Sequence, residues 1–181
     1  MEEAHQYVQR QSNVNMDETS FAQGNGNGKK PSGRKGWLWV MVTPSVSYFA
    51  VFLGRSQAVC QHLLAEGFDG IVSSDRFSAY NLLNLEQRQI CWAYLKRDFT
   101  AIAERSGVAG RLGKALLEQQ KLLFGQWYRV RDDTLSRTEF ISVVAPIQQC
   151  IHTLLAEGAA YAISKGEKTP LASRCALVSS Y

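Results

Sequence analysis

Gly67-Phe-Asp-Gly-Ile-Val-Ser-Ser-Asp75-Arg-Phe-Ser-Ala-Tyr80-Asn81 opens with a Gly/Asp turn, passes through a short apolar run containing Ile71 and Val72, and reaches Asp75 just before a helical stretch. This is the order of residues in a buried strand that delivers a carboxylate to its C-terminal end. In open α/β sheets, sites form in the crevice beyond the strand ends. A second acid, Asp17, lies inside another strand-like segment, Val14-Asn-Met-Asp17-Glu-Thr-Ser-Phe21. Taken singly, an Asp after a strand can be a helix cap or turn residue, and an Asp on an edge strand can face solvent. Taken together, the two aspartates are expected to face each other and to hold divalent metal.

Composition bounds the rest. The 181 residues suffice for one domain with a core, or one domain and an appendage. A hydrophobic fraction of 45% with 20% charged residues suits a soluble globular protein. The net charge of +4 permits a polyanionic partner without demanding one. Cys60, Cys91, Cys150 and Cys175 form no Cys-x-x-Cys pair, and His5, His62 and His152 are scattered, so no zinc spacing is present. Residues 1–15 are polar, unlike a signal peptide. The apolar stretch Trp37 to Leu53 is broken by Thr43-Pro44-Ser45, so it reads as a β-hairpin and not as a membrane span.

Along the chain, residues 1–12 read as the end of an upstream helix or a linker, and Val14 to Phe21 as a first strand. The Gly/Asn/Lys-rich stretch from Gln23 to Lys35 reads as a hairpin tip, with some affinity for phosphate through Lys29, Lys30, Arg34 and Lys35. Trp37 to Thr43 and Ser47 to Leu53 are the second and third strands, apolar on both faces and therefore expected to be covered on both sides. A helix from Ser56, its candidate N-cap, to Glu66 ends at Gly67. The Asp75 strand, a short helix from Ala79 to Asn84, a fifth strand from Gln89 to Tyr94 and a helix from Leu95 to Arg105 follow. This order predicts an α/β protein with a ribonuclease H-like mixed sheet and flanking helices over residues 13–109. In that layout the first and fourth strands lie side by side, each bringing one acid to the same end. Residues 110–163 read as an α-helical insertion section, with Ser136-Arg-Thr-Glu139 resembling a capping box. Residues 164–181 read as a loop and truncated tail.

Four blocks carry a family resemblance: Val14-Asn-Met-Asp17-Glu-Thr19, Gly36-Trp-Leu-Trp39, Ser74-Asp75-Arg-Phe-Ser-Ala-Tyr80-Asn81, and Gln89-Ile-Cys91-Trp-Ala-Tyr94-Leu-Lys-Arg97-Asp-Phe99. In order and spacing they resemble the catalytic domain of insertion-sequence transposases of family sixty-six, from about Val14 to Thr169. The resemblance implies a DDE transposase, with Asp17 and Asp75 as catalytic Mg²⁺ (or Mn²⁺) ligands of a two-metal site and with Lys96 and Arg97 on DNA phosphates. It also implies DNA as partner, with a second copy or a full-length transposase as a further one, and a cytoplasmic location without membrane attachment.

Three departures qualify the expectation. Tyr94 stands where the family usually has His, and Tyr cannot act as a cation near neutral pH. The family's third acid belongs to an Asn-Asn-x-Ala-Glu-Arg-like block that does not occur before Tyr181. The family's N-terminal regions do not precede the first acid. The chain is thus expected to be a fragment, inactive alone, or alternatively a non-catalytic DNA- or transposase-binding remnant. Glu104 is the in-chain alternative for the third acid, but it falls off the Leu95, Phe99, Ile102 stripe and reads as a solvated surface residue.

Overall fold

The structure, a computed structural model, describes residues 2–22 and 35–164. The expected hairpin tip from Gln23, including Lys29, Lys30 and Arg34, and the tail after Ser164 lie outside the described residues. The chain divides into two compact units, Met1–Cys91 and Trp92–Tyr181.

The first unit contains α1 (Glu2–Gln9), β1 (Asn13–Ala22), β2 (Lys35–Val42), β3 (Ser47–Phe52), α2 (Gln57–Leu64), β4 (Ile71–Ser74) and β5 (Arg88–Ile90), with two short 3-10 turns between β4 and β5. The five strands form one mixed sheet in the order β3-β2-β1-β4-β5. β1, β2 and β3 pair antiparallel, whereas β4 pairs parallel with β1 and β5 parallel with β4.

Period-two alternation sets the faces. In β1, Val14, Met16 and Glu18 are buried while Asn13, Asn15 and Asp17 are exposed. The buried set joins Trp39 and Met41 of β2, Cys60, Leu63 and Leu64 of α2, Val72 of β4, and Tyr80 in one core. The other face of the hairpin is more open than its apolar sequence predicts. Leu38, Val40 and Val42 are half-buried, and Phe49 and Val51 are exposed.

The turn at Pro44 is held by Thr43, whose hydroxyl oxygen accepts the Val46 N–H at 3.0 Å. Ser56 stands at the N-cap of α2, but its hydroxyl makes no capping bond. Gly70 brings the Asp75 segment onto β1. A Cβ there would lie 2.6 Å from the Gln11 carbonyl oxygen, and this close approach lets the next residue's N–H, that of Ile71, donate to Ser12 at 2.8 Å.

The second unit is helical: α3 (Trp92–Ala103), α4 (Gly107–Arg131) and α5 (Arg137–Ser164). The expected fifth strand, Gln89 to Tyr94, is shorter than predicted. Its last ladder bond is the Cys91 N–H donating to Ser74 at 2.8 Å, and α3 begins at the next residue. Trp92-Ala-Tyr94 has strand-like composition, but Trp92 also extends the helical stripe of Leu95, Phe99 and Ile102, and that period prevails.

The capping box at the start of α5 is present. The Ser136 N–H donates to the Glu139 carboxylate at 2.9 Å, and the Glu139 N–H returns to the Ser136 hydroxyl at 3.2 Å. The Ser136 hydroxyl also donates to the Glu139 carboxylate at 2.7 Å, and this bond, followed by that of the Ser136 N–H, holds the Glu139 carboxyl below its usual range. α5 runs through Pro146 and is long and apolar enough to cross a membrane by length and composition alone. It packs against α4, with Val144, Ile151, Leu155 and Ala162 buried.

Candidate active site

Backbone register relates the two aspartates. Asn13, Val14 and Asn15 of β1 pair with Ile71, Val72 and Ser73 of β4, an offset of 58 positions throughout. Asp17 and Asp75 keep the same offset (75 − 17 = 58). Asp17 stands within β1 and Asp75 is the residue after the end of β4, the strand that pairs parallel with β1. Asp17 lies on the exposed face and Asp75, just past the end of β4, is half-buried. Each carboxylate is tethered locally: Asp17 Oδ1 accepts the Glu18 N–H at 2.9 Å, and Asp75 Oδ1 accepts the Phe77 N–H at 2.8 Å.

Beside Asp75 lies a polar network that the sequence reading missed. The alternation that exposes Asp17 buries its neighbour Glu18, whose side chain is inaccessible to solvent. Glu18 Oε2 accepts the Tyr80 hydroxyl at 2.5 Å, and Glu18 Oε1 accepts Arg55 Nε at 2.6 Å. Arg55 Nη2 reaches Glu18 Oε1 as well and stands 3.8 Å from Asp75 Oδ2. The Arg55 guanidinium lies 3.4 Å from the Phe77 ring centroid and 5.0 Å from that of Trp37. The Trp39 indole N–H donates to the carbonyl of Gly54 at 3.3 Å and so pins the loop that carries Arg55.

Burial shapes the ionisation of this cluster. It raises the Glu18 carboxyl above its ordinary value, against hydrogen bonds from Tyr80 and Arg55 that pull it down. Burial, and then the bond to Glu18, push the Tyr80 hydroxyl up. Burial, with Glu18 nearby, pushes the Cys60 thiol up to about 12, so it is no nucleophile. Arg88 donates to Asn81 Oδ1 at 2.9 Å, while its buried Nε has no hydrogen-bond partner among the described residues.

Lys96 and Arg97 lie in the second unit, exposed on α3. With Ala93, Thr100, Ala101 and Glu104 they line a shallow groove. The Arg97 guanidinium lies 4.8 Å from the Tyr94 ring centroid, so Tyr94 serves as a platform for a cation. Glu104 follows the end of α3 and is exposed. Among the described residues, no three His, Cys, Asp or Glu side chains cluster to hold a metal ion.

The chain belongs to the Transposase IS66 family, whose model matches residues 1–172. Comparison with curated proteins and with solved structures gives no match.

Proposed function

We propose that the chain is the core of a DDE-type transposase with a ribonuclease H-like sheet, built for metal-dependent cleavage and transfer of DNA strands at transposon ends in the cytoplasm. The observation that carries this reading is the parallel pairing of β1 with β4 at an offset of 58 positions, the same separation as that of Asp17 and Asp75 in the chain. The strand order β3-β2-β1-β4-β5, with the first and fourth strands adjacent, supports it.

Asp17 and Asp75 would hold Mg²⁺ or Mn²⁺. The donor chemistry fits, because these are hard cations that take oxygen ligands, and Mg²⁺ keeps several waters and needs few protein carboxylates. Bound there, a metal pair would activate the attacking oxygen and stabilise the leaving one. The protein's own part is positional. Backbone N–H groups of Glu18 and Phe77 fix one oxygen of each aspartate. Lys96 and Arg97 contribute phosphate contacts that give affinity without sequence readout. A second copy or a full-length transposase is the protein partner this chemistry calls for.

The described residues offer two carboxylates where the complete cage has three, so the chain by itself binds DNA without cutting it. The test is an end-labelled cleavage assay on transposon-end DNA with Mg²⁺ or Mn²⁺, using this chain, its Asp75→Ala variant and a full-length relative. The expected result is cleavage by the relative only. Cleavage by this chain that vanishes in Asp75→Ala would mean that an acid such as Glu104 completes the site. A non-catalytic DNA-binding remnant is the second reading, favoured by Tyr94 in the family's His position. It predicts that a chimera supplying the missing acid block still fails to cut.

A further inference from the structure

We infer that Arg55 is the residue that positions the Asp75 carboxylate. This inference rests on the metal-site reading of Asp75 given above and adds to it a residue outside all four family-like blocks. One guanidinium touches four groups at once. It is fixed from below by buried Glu18, which accepts both Nε and Nη2, and Glu18 is itself held by the Tyr80 hydroxyl. Its central carbon lies over the Phe77 ring, 3.4 Å from the centroid, and over Trp37 at 5.0 Å. Its Nη2 faces Asp75 Oδ2 at 3.8 Å.

Arg55 thus grips Asp75 by two routes. The first is direct and electrostatic, through Oδ2. The second runs through Phe77: the stacked cation fixes the ring, and the N–H of the same residue holds Asp75 Oδ1 at 2.8 Å. Both carboxylate oxygens are therefore referred to one guanidinium. The guanidinium has little freedom, since a group bound through two nitrogens and set over an aromatic ring has few remaining rotamers. Its charge is offset by Glu18 within the cluster, which limits its repulsion of a cation at Asp75. Groups that orient a metal ligand from behind set its affinity, and their loss typically weakens binding about 10–100-fold.

The experiment combines two readouts on the whole chain: Mn²⁺ binding, followed by loss of the free-ion electron paramagnetic resonance signal, and amide hydrogen exchange at Phe77. The variants are Arg55→Lys, Asp75→Asn and the double variant Arg55→Met with Glu18→Gln. The double variant removes both charges together, so no unpaired carboxylate is left buried. Asp75→Asn tests the metal site alone and is expected to lose Mn²⁺ binding. The double variant and Arg55→Lys are expected to weaken Mn²⁺ binding at least about tenfold. They are also expected to speed Phe77 exchange about tenfold, with Trp39 and Val72 unchanged.

If the parent chain binds no Mn²⁺ but Phe77 exchange still accelerates, the metal-site reading falls and the positioning of Asp75 by Arg55 stands. Parental Phe77 exchange in the double variant overturns the inference, whatever the metal data show. So does equal acceleration across the sheet amides, since Arg55 would then be supporting the fold and not the carboxylate. Parental behaviour of Arg55→Lys would overturn the claim that the planar fork, rather than charge, is what holds Asp75.

Discussion

Glu18 and Asp17 are consecutive residues with opposite fates, separated by nothing but strand alternation. Asp17 meets solvent, while Glu18 is buried among Tyr80 and Arg55. A carboxyl whose folded value is raised above its unfolded value of 4.5 binds its proton more tightly in the folded state. Its contribution to stability is therefore fully present below pH 4.5 and is lost as pH rises through the raised folded value. Glu18→Gln removes that titration. The stability of the parent minus that of Glu18→Gln is expected to fall as pH climbs from 4.5 towards neutrality, as measured by urea unfolding at a series of pH values. Parallel stability curves for the two proteins would refute the ionisation assigned to Glu18.

At the scale of elements, α3 and α4 pack through a small residue. A Cβ at Gly113 would stand 2.3 Å from the Ala103 backbone N and 2.7 Å from the Ile102 carbonyl carbon, and neither can swing aside. Gly125 lies further along the same helix, where an added Cβ meets nothing within 4 Å. The same substitution should act in opposite directions. Gly113→Ala forces the helices apart and is expected to cost roughly 1–3 kcal/mol. Gly125→Ala removes the glycine penalty of an exposed helix interior and is expected to gain up to about 1 kcal/mol. Thermal unfolding followed by circular dichroism decides. A destabilised Gly125→Ala would point to a covered surface at that position, and a neutral Gly113→Ala would refute the close packing of the two helices.

The whole molecule carries a charge of +4, which is modest, so affinity for DNA has to come from placed cations and not from bulk charge. Lys96 and Arg97 sit together on the exposed face of α3, with Tyr94 under the arginine. DNA binding by the chain is expected to weaken steeply with salt. Lys96→Gln with Arg97→Gln should reduce the slope of log affinity against log salt by roughly two, because each phosphate contact contributes about 0.9 to it. Fluorescence anisotropy of labelled duplex across a salt series measures this. An unchanged slope would place the DNA contacts elsewhere on the chain.

Sequence alone determined the family, the presence of all five strands, and the helical character of most of residues 110–163. These depend on local periodicity and on the order of blocks, which a linear string carries in full. It did not locate the junction after β5, because Trp92-Ala-Tyr94 satisfies both a strand composition and a helical stripe, and packing chose between them. Nor did it reveal Arg55. A lone arginine after a glycine in a short loop reads as a solvated charge. Only tertiary packing brings it against Phe77 and Glu18, residues 22 and 37 positions away from it in the chain (77 − 55 and 55 − 18). The likeness of Glu18 to any surface glutamate ended in the same way. Its burial follows from the face of β1 it occupies, and its tolerance of burial follows from partners that tertiary contact alone supplies.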